Sequence, residues 1–242
     1  MGVKGIMNYQ KIARFYDDIL GNRHTVANRI EYLIDLYKKD TKSILEIACG
    51  TGQVLDLLKE KYDITGIDIS NEMLAEAKKK LPGASLLKQD MRTMELGKKY
   101  DVVVSVFDSI IHLLKLEDWE KTFKSVANHL KKGGLFILDV NTLDTLHAKA
   151  QHNSLFYTFD KSHLSVKVIE KEDGFFDWDI KIFEKLKDGK FALHEEYIPT
   201  RSFKTNTIKD SLLKSFNEVE VFDFVDDGDH REAKRVYFIC TV

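Results

Sequence analysis

The chain is poor in cysteine and proline, with only two of each among its 242 residues. Cys49 and Cys240 are too few to build a disulfide framework, and both lie in apolar, strand-like stretches, so we expect buried free thiols. Pro82 and Pro199 stand far apart, and no low-complexity linker separates them. No set of Cys, His, Asp and Glu residues has the spacing of a metal site, so we expect no metal.

The chain also lacks an excess of one charge and any long apolar run. Its 37 basic and 39 acidic residues give a net charge of -2, which provides no global positive field for nucleic acid, and we expect no such partner. No run approaches the ~18 apolar residues of a membrane span. The first ten residues contain no hydrophobic core of a signal peptide. We therefore expect a cytoplasmic protein that does not enter a membrane.

Between residues 43 and 140, short apolar runs alternate with amphipathic stretches. The runs SILEIA, DITGID, ASLLKQ, DVVVSVF and LFILDV predict buried strands. Ser70 is a good N-cap for the helix NEMLAEAKKKL, and an apolar stripe from Trp119 to Leu130 predicts a helix that stops at Gly133-Gly134. Such alternation indicates a parallel sheet covered on both faces, which binds ligands at the carboxyl ends of its strands.

The two ends of the chain have different patterns. The first 40 residues have the apolar spacing of two helices. Near the end, Thr207 is a candidate cap for the helix IKDSLLKSF, and two strands follow around the turn DDGDH.

After Val140 the pattern becomes that of hairpins. The runs LFYTFD, LSVKVIE, FFDWDIKIFEKL and KFALHEEY predict strands joined by tight turns. Trp178, Ile180 and Ile182 alternate with charged residues, which indicates an antiparallel sheet with one face in water. Residues 145–205 therefore read as an inserted β subdomain, and residues 1–144 and 206–242 as the domain that contains it.

The stretch SILEIACGTGQVLDLL places an acid and two glycines between the first predicted strand and the next helix. Glu46 ends the strand, and Gly50 and Gly52 allow a tight turn that a ligand can approach closely. The helix start near Gln53 offers unpaired N–H groups to a carboxylate or a pyrophosphate. Asp68 ends the second strand, where its carboxylate can accept hydrogen bonds from both hydroxyls of a ribose.

Nucleotide and adenosyl ligands both fit these features. The dinucleotide fingerprint G-x-G-x-x-G requires a third glycine, and Leu55 stands in that place. The chain also shows no second nucleotide-binding half. Both departures disfavour NAD.

Five segments, in this order, resemble those of the class I S-adenosylmethionine-dependent methyltransferases: LEIACGTGQVLDLL, TGIDISNEMLAEAKKK, LLKQDMRTM, YDVVVSVFDSI and LKKGGLFILDV. The chain looks closest to the small-molecule branch that carries a β insertion before the last helix. The resemblance implies an α/β fold with a Rossmann-like, mostly parallel seven-stranded sheet and helices on both faces. It also implies an antiparallel last strand and a small antiparallel β insertion.

The resemblance also implies which residues bind S-adenosylmethionine. The family pattern E-x-G-x-G-x-G falls on Glu46, Ala48, Gly50 and Gly52, with alanine in place of the first glycine. The second strand would hold the ribose, the end of the third would contact adenine, the fourth motif would lie beside the methionine moiety, and an N-terminal helix would close over the cofactor. The implied cofactor-binding residues are Tyr16, Glu46, Ala48, Cys49, Gly50, Gly52, Asp68, Ile69, Met73, Asp90, Met91, Val106, Phe107 and Asp108.

Several of these residues have ordinary structural alternatives. Asp90 and Asp108 could cap a turn or the segment that follows. Met73 could fill the core, and Tyr16 could belong to the core face of its helix. His112 could be a structural histidine.

Residues outside the cofactor motifs are candidates for catalysis and acceptor binding. Asp108 and His112 are candidate catalytic groups by position alone. Trp178, Tyr197 and Arg201, in the insertion, are candidate substrate-binding residues, although an apolar stripe on a sheet is more often core or interface.

The sequence thus predicts a methyltransferase (EC 2.1.1.-) that uses S-adenosylmethionine, without a metal, to methylate a nitrogen or oxygen atom of a small molecule. An RNA or protein methyltransferase on the same fold and a non-catalytic cofactor-binding protein are the alternatives. We expect a monomer or a homodimer, and the sequence does not identify the acceptor.

Overall fold

Two β-sheets with different strand directions form the frame of the protein. The structure is a computed structural model, and it describes residues 12–21, 23–223 and 235–242. The strands are β1 (Ser43–Ile47), β2 (Asp63–Asp68), β3 (Ser85–Lys88), β4 (Tyr100–Ser105), β5 (Leu130–Val140), β6 (Leu155–Phe159), β7 (Ser162–Glu170), β8 (Phe175–Lys185), β9 (Phe191–Arg201), β10 (Glu218–Asp223) and β11 (Val236–Thr241). The helices are α1 (Tyr16–Leu20), α2 (His24–Tyr37), α3 (Gln53–Leu58), α4 (Asn71–Lys80), α5 (Leu116–His129), α6 (Leu143–Gln151) and α7 (Thr205–Leu212).

The large sheet has seven strands in the order β10-β11-β5-β4-β1-β2-β3. The first five strands of the chain pair in parallel. β11 runs antiparallel to both β5 and β10. The structure therefore confirms the predicted mostly parallel seven-stranded sheet with an antiparallel last strand.

Apolar side chains cover both faces of the large sheet at its centre, where β1, β2 and β4 are nearly continuous runs of buried residues. Phe123 on α5 packs against Phe136 of β5 on one face. Ile30 and Leu33 on α2 belong to the core of the other face. Cys49 and Cys240 are buried and free, which confirms the expectation of buried thiols.

The strand order reverses at β1, which lies between β2 and β4. The chain moves outward from β1 through β2 to β3 and then crosses to β4 on the other side. The carboxyl ends of β1 and β4 therefore separate at a topological switch point, where open α/β sheets bind ligands. This edge of the sheet carries the glycine turn.

Some predicted element ends differ from the structure. The helix expected to stop at Gly133-Gly134 ends at His129, and both glycines lie within β5, which begins at Leu130 because that residue pairs with Tyr100. Thr207 is not a cap, since α7 begins at Thr205.

Other ends agree with the prediction, and one element was missed. Ser70 is an N-cap, as predicted, and its hydroxyl accepts the N–H of Met73 at 3.2 Å. Helix α6 was not predicted. The turn DDGDH lies outside the described residues.

The second sheet is antiparallel, with the order β6-β7-β8-β9, and its four strands correspond to the four predicted runs. Its inner face presents buried apolar side chains, among them Leu164, Ile180 and Ile198, which pack against Ile12 and Phe15 of the N-terminal segment. Asp177, Asp179 and Lys181 alternate with these apolar residues along β8 and lie on the outer face. Among the described helices, none combines the length and the apolar character that crossing a bilayer requires.

Candidate active site

A cavity of about 520 Å³ lies at the carboxyl ends of the parallel strands, and we call it the large cavity. Nine of the residues predicted to bind a cofactor line it: Tyr16, Ala48, Gly50, Asp68, Ile69, Met73, Asp90, Met91 and Phe107. Three other predicted residues, Glu46, Cys49 and Val106, line a cavity of about 40 Å³ beside it. Gly52 is the N-cap of α3. Within the described ranges, no three His, Cys, Asp or Glu side chains are grouped as metal ligands.

The turn after β1 follows a left-handed path. Ala48, Gly50 and Gly52 have φ of 53°, 53° and 74°. This conformation costs an L-residue roughly 1–2 kcal/mol but is free for glycine. A Cβ added to Gly50 would have no described neighbour closer than the Tyr16 ring at 4.0 Å, so the turn leaves room for a ligand against its backbone.

Asp68 fixes the glycine turn to the end of β2. Its buried carboxylate accepts the N–H of Gly50 and the N–H of Ser70, both at 2.8 Å. Burial raises the pKa of this carboxyl, and the hydrogen bonds from Ser70 and Gly50 oppose the rise. The same side chain borders the large cavity, so it can both shape the turn and receive hydrogen bonds from a ligand.

Glu46 is a second buried acid at this edge. Its side chain is 3% exposed, and its Oε2 atom has no hydrogen-bond partner among the described residues. Burial and then the nearby charge of Asp68 raise its pKa well above the ordinary value. A buried oxygen without a partner is costly unless a ligand supplies a donor. The site therefore favours a ligand with a hydrogen-bond donor or a positive charge here.

Asp90 follows β3 and forms a bidentate pair with Arg92. The Arg92 Nη2–Asp90 Oδ2 distance is 2.6 Å, and Arg92 Nε lies 3.0 Å from Asp90 Oδ1. Arg92 Nη1 also lies 3.2 Å from Asp118 Oδ2. The hydrogen bonds from Arg92 lower the pKa of Asp90, so this carboxylate stays ionised at the wall of the large cavity.

The N-terminal segment, residues 12–19, contributes Tyr16 to the wall of the large cavity, and we call it the strap. Asp17 accepts a hydrogen bond from Thr51 of the glycine turn at 2.5 Å and is paired with Lys80 of α4. On its other side the strap packs on the small sheet, where Arg14 lies 2.7 Å from Glu184. The strap therefore connects the glycine turn to the second sheet.

Phe107 and Asp108 leave β4 with φ of 60° and 61°, two consecutive non-glycine residues in the left-handed region. Such strain persists only where the surroundings hold it. Asp108 accepts hydrogen bonds from the backbone and side-chain N–H groups of Asn141, and Arg235 Nη1 lies 3.1 Å from its Oδ2. The Asp108 N–H donates to Asp139 at 3.0 Å. This network fixes the end of β4.

A second cavity of about 180 Å³ lies between the strap, the small sheet and the end of β4. Tyr16, Phe107 and His112 line it and also line the large cavity, so the two spaces meet at these three residues. Burial lowers the pKa of His112 to about 4, and the imidazole is therefore neutral at pH 7.

Comparison with known proteins finds similarity to methyltransferases. A family described as a methyltransferase domain matches residues 44–134. The dTDP-3-amino-3,4,6-trideoxy-alpha-D-glucopyranose N,N-dimethyltransferase of Streptomyces venezuelae is 37% identical over 124 residues, which span 50% of this chain and 52% of that protein. The chain thus covers about half the length of this relative.

Two solved structures match over nearly their whole length. An S-adenosylmethionine-dependent methyltransferase from Clostridium acetobutylicum ATCC 824 has a TM-score of 0.81 at 24% identity, with 97% of this chain and 98% of that chain covered. The S-adenosylmethionine-bound CalS10, an amino pentose methyltransferase from Micromonospora echinaspora, has a TM-score of 0.80 at 18% identity, with 98% of each chain covered.

Residues 44–134 thus match a methyltransferase-domain family, and the fold is that of solved S-adenosylmethionine-dependent methyltransferases.

Within this family pattern, the alanine at the first glycine position has a structural cost. Ala48 keeps the left-handed φ of 53° that glycine would adopt freely. The small methyl group leaves the path of the turn unchanged, but the backbone is strained. The methyltransferase turn is therefore formed here against a local preference.

The three residues of the second sheet predicted to bind the acceptor lie in different places. Trp178 lines the second cavity. Arg201 lines the large cavity, with its guanidinium 4.4 Å from the centre of the Phe175 ring. Tyr197 is 61% exposed on the outer face of the sheet and is not brought to either cavity.

Sequence reasoning did not single out several residues at the site. Arg23 lies over Phe107, with 3.9 Å from its guanidinium carbon to the ring centre, and Arg235 joins the Asp108 network. Lys149 on α6 lies 5.8 Å from the centre of the Trp178 ring, and burial, followed by the charge of Arg235, lowers its pKa to about 8. Only the fold brings these distant parts of the chain together, and no motif marks them.

Proposed function

We propose that this methyltransferase transfers the methyl group of S-adenosylmethionine to a nitrogen or oxygen atom of a small molecule. The observation that carries the proposal is the position of Asp68. Its buried carboxylate holds the glycine turn and borders a cavity of about 520 Å³ at the switch point of the sheet. A second, smaller cavity adjoins this one and gives space for an acceptor.

Asp68 and Glu46 fit opposite ends of the cofactor. Asp68 stands at the end of β2, where a carboxylate can accept hydrogen bonds from ribose hydroxyls. Glu46 carries a buried oxygen without a partner among the described residues, and the ammonium of the methionine moiety would satisfy that oxygen. The left-handed turn between these two residues lets the ligand approach the backbone of Gly50.

The adenine would lie between apolar side chains at the other end of the large cavity. Ile69, Met73 and Met91 line this part. Asp90 can accept a hydrogen bond from the adenine amino group, since a carboxylate has about four acceptor sites and Arg92 uses only some of them. Arg92 holds this carboxylate in place.

When bound, S-adenosylmethionine supplies a methyl group on a positively charged sulfur, which is already electrophilic. The protein must then align the acceptor and exclude water. The two cavities share the wall formed by Tyr16, Phe107 and His112, which supports an acceptor in the second cavity beside a cofactor in the large one. Asp108 is engaged by Asn141 and Arg235, so we assign it a positioning role at the end of β4.

We also propose that residues 145–205 form the cap that defines the acceptor. The inner face of the small sheet supplies Leu164, Trp178 and Ile198 to the second cavity. The strap and this sheet enclose that cavity on the side away from the large sheet. A cavity of about 180 Å³ walled in this way suits a small molecule better than RNA or a protein chain.

A methyl-transfer assay tests the function. The purified protein is incubated with S-adenosylmethionine labelled in the methyl group and with a filtrate of cellular small molecules, bulk RNA or bulk protein, each added separately. We expect label in the small-molecule fraction. Label in RNA or protein instead would contradict the proposed acceptor class, and binding of NAD without binding of S-adenosylhomocysteine would contradict the cofactor.

A further inference from the structure

The second cavity has one polar side and one apolar side. Asp108, His112, Arg23 and Arg235 stand where it meets the large sheet and α2. The opposite walls are apolar side chains from the small sheet and from the strap: Leu164, Val166, Ile180, Ile198, Ile12 and Ile19. A molecule that fits this cavity therefore has an apolar body and one polar end.

We propose that this cavity takes a small amine carried on an apolar body of about one ring, rather than a sugar linked to a nucleotide. The proposal rests on the proposed methyl transfer and narrows its acceptor. It also sets this chain apart from the relative whose name specifies a nucleotide-linked amino sugar.

The size of the cavity supports a single ring. Its volume is about 180 Å³, whereas sites for drug-sized ligands measure about 300–1,000 Å³. An apolar cavity of about 150 Å³ is large enough for benzene. A ring with a short aminomethyl group therefore matches the volume of this cavity, whereas a nucleoside diphosphate is larger than it.

The charges at the cavity do not suit a diphosphate either. Arg235 lies 3.1 Å from Asp108 and 3.2 Å from Asp139, so its charge is already paired with two carboxylates. The guanidinium of Arg23 lies 3.9 Å from the centre of the Phe107 ring. Phosphate recognition uses bidentate arginine or several free N–H donors, and here the charge of Arg235 is already paired while Arg23 stacks on Phe107.

The polar side favours an amine over a hydroxyl as the methyl acceptor. A hydroxyl needs a base within reach, and Asp108 is held by Asn141 and Arg235 in the positioning role assigned above. His112, with a pKa of about 4, binds a proton weakly. An amine needs only to be unprotonated, and apolar walls favour that form because burial disfavours the charged one.

The step balances without a further reactant. The nitrogen lone pair forms the new bond to the methyl carbon, and the carbon–sulfur bond breaks with its electron pair remaining on sulfur. The positive charge passes from sulfur to nitrogen, and the methylated ammonium loses its extra proton to water on release.

Two amines of similar ring size and opposite polarity test the proposal. Benzylamine and glucosamine are each supplied with labelled S-adenosylmethionine, and a thymidine diphosphate-linked amino sugar is supplied as the third probe. We expect saturable methylation of benzylamine with kcat/KM at least about 10 times that of either sugar, which corresponds to about 1.4 kcal/mol. Preference for either sugar would overturn the proposal, and so would the absence of benzylamine methylation by protein that binds S-adenosylhomocysteine.

Wall variants link this preference to the second cavity. Ile180→Asn introduces an amide into the apolar wall, and we expect the KM for benzylamine to rise about 10-fold or more, with the Kd for S-adenosylhomocysteine unchanged. Leu193→Asn is the matched control, since Leu193 is 50% exposed on the outer face of the same sheet, and it should leave both constants unchanged.

A second wall variant covers the case in which Ile180→Asn does not fold. Val166→Thr keeps the shape of the side chain but replaces one methyl group with a hydroxyl, and it should also raise the KM for benzylamine. An unchanged KM in folded wall variants would overturn the assignment of the cavity. Failure of the wild-type protein to bind S-adenosylhomocysteine in calorimetry would instead overturn the proposed function itself.

Discussion

At the scale of single residues, Asp68 combines a structural task with a ligand-binding one. Asparagine in its place keeps one carbonyl oxygen for a backbone N–H but loses the charge that would hold the ribose. Hydrogen bonds to charged groups contribute about 1.5–3 kcal/mol, so we expect Asp68→Asn to weaken S-adenosylhomocysteine binding by about 10–100-fold in calorimetry.

The control for Asp68→Asn lies on the same strand. Asp63→Asn changes an exposed carboxylate at the start of β2, whose side chain is 70% exposed, and should leave the Kd unchanged. Asp68→Asn protein that melts cooperatively and binds S-adenosylhomocysteine with wild-type affinity would show that Asp68 serves only the turn.

His112 gives a prediction on pH. Burial lowers its pKa to about 4 in the folded protein, and an unfolded histidine titrates near pH 6.5. Between these values the unfolded chain binds the proton and the folded one does not. His112 therefore makes the folded protein less stable, relative to the unfolded chain, as pH falls from about 6.5 towards 4, by at most about 3 kcal/mol.

Urea unfolding between pH 4.5 and pH 7.5, a range set by these two pKa values, checks this effect. We expect His112→Gln to lose less stability on acidification than the wild type does. His152→Gln, which changes an exposed histidine after α6, should retain the wild-type pH dependence. If the free energy of unfolding changed equally with pH in the wild type and in His112→Gln, this would contradict a buried, neutral His112 imidazole.

The sequence alone predicted some site residues because of where they stand on the strands. Asp68 and Asp90 follow short apolar runs, and the carboxyl ends of parallel strands meet at one edge. Arg23, Arg235 and Lys149 reach the site from three distant segments, and a charged residue at any of these positions reads as ordinary surface. Their roles depend on three-dimensional contacts that periodicity does not encode.

At the scale of elements, Gly66 determines how closely the glycine turn packs on β2. A Cβ at this position would lie 2.7 Å from Leu55 Cδ1, 2.8 Å from Cys49 Sγ and 2.9 Å from Leu86 Cδ2. Overpacking of this kind costs about 1–3 kcal/mol, so we expect Gly66→Ala to lower the free energy of unfolding by that amount in urea. Gly83→Ala is the control, because a Cβ there meets no described atom within 4 Å. Equal stabilities for the two variants would show that the packing around β2 yields easily.

The strap gives a prediction on cofactor release. Asp17 connects it to Thr51 of the glycine turn, whose Gly50 lines the large cavity, and to Lys80 of α4. This pair is partly exposed, and such pairs contribute about 0.2–1 kcal/mol. We therefore expect Asp17→Asn to speed the dissociation of S-adenosylhomocysteine by about 2–5-fold in stopped-flow measurements.

Asp18→Asn changes the exposed neighbour on the same helix and serves as the control. It should leave the dissociation rate unchanged. If Asp17→Asn also left that rate unchanged, the ligand would leave by a route that does not involve the strap.

Elements whose apolar residues recur at regular spacing were predicted from the sequence, and an element with weak periodicity was not. The strands of both sheets follow apolar runs or strict alternation. Helix α6 was missed because Leu143–Gln151 has only two buried side chains, Thr145 and Leu146, and so shows little periodicity. The predicted end of α5 was wrong because Leu130 pairs with Tyr100, and this strand pairing takes precedence over the glycine stop signal.

At the scale of the whole molecule, ligand binding should appear as thermal stability. A ligand at ~100 times its Kd adds about 2.7 kcal/mol, which for a chain of this size raises Tm by roughly 5–10 °C. We expect this rise with S-adenosylmethionine and with S-adenosylhomocysteine, and none with NAD, in a thermal-shift measurement. A rise with NAD alone would contradict the assignment of Asp68 and the glycine turn.

The meeting of the two cavities at Tyr16, Phe107 and His112 has a consequence for inhibitor chemistry. A thioether analogue of the cofactor, with a benzylamine joined to its sulfur through a short alkyl tether, would extend from the Asp68 end of one cavity to the Ile180 wall of the other. The ring would then bind at an effective concentration in the millimolar range. Such a bisubstrate compound would report that one molecule can occupy both cavities at the same time.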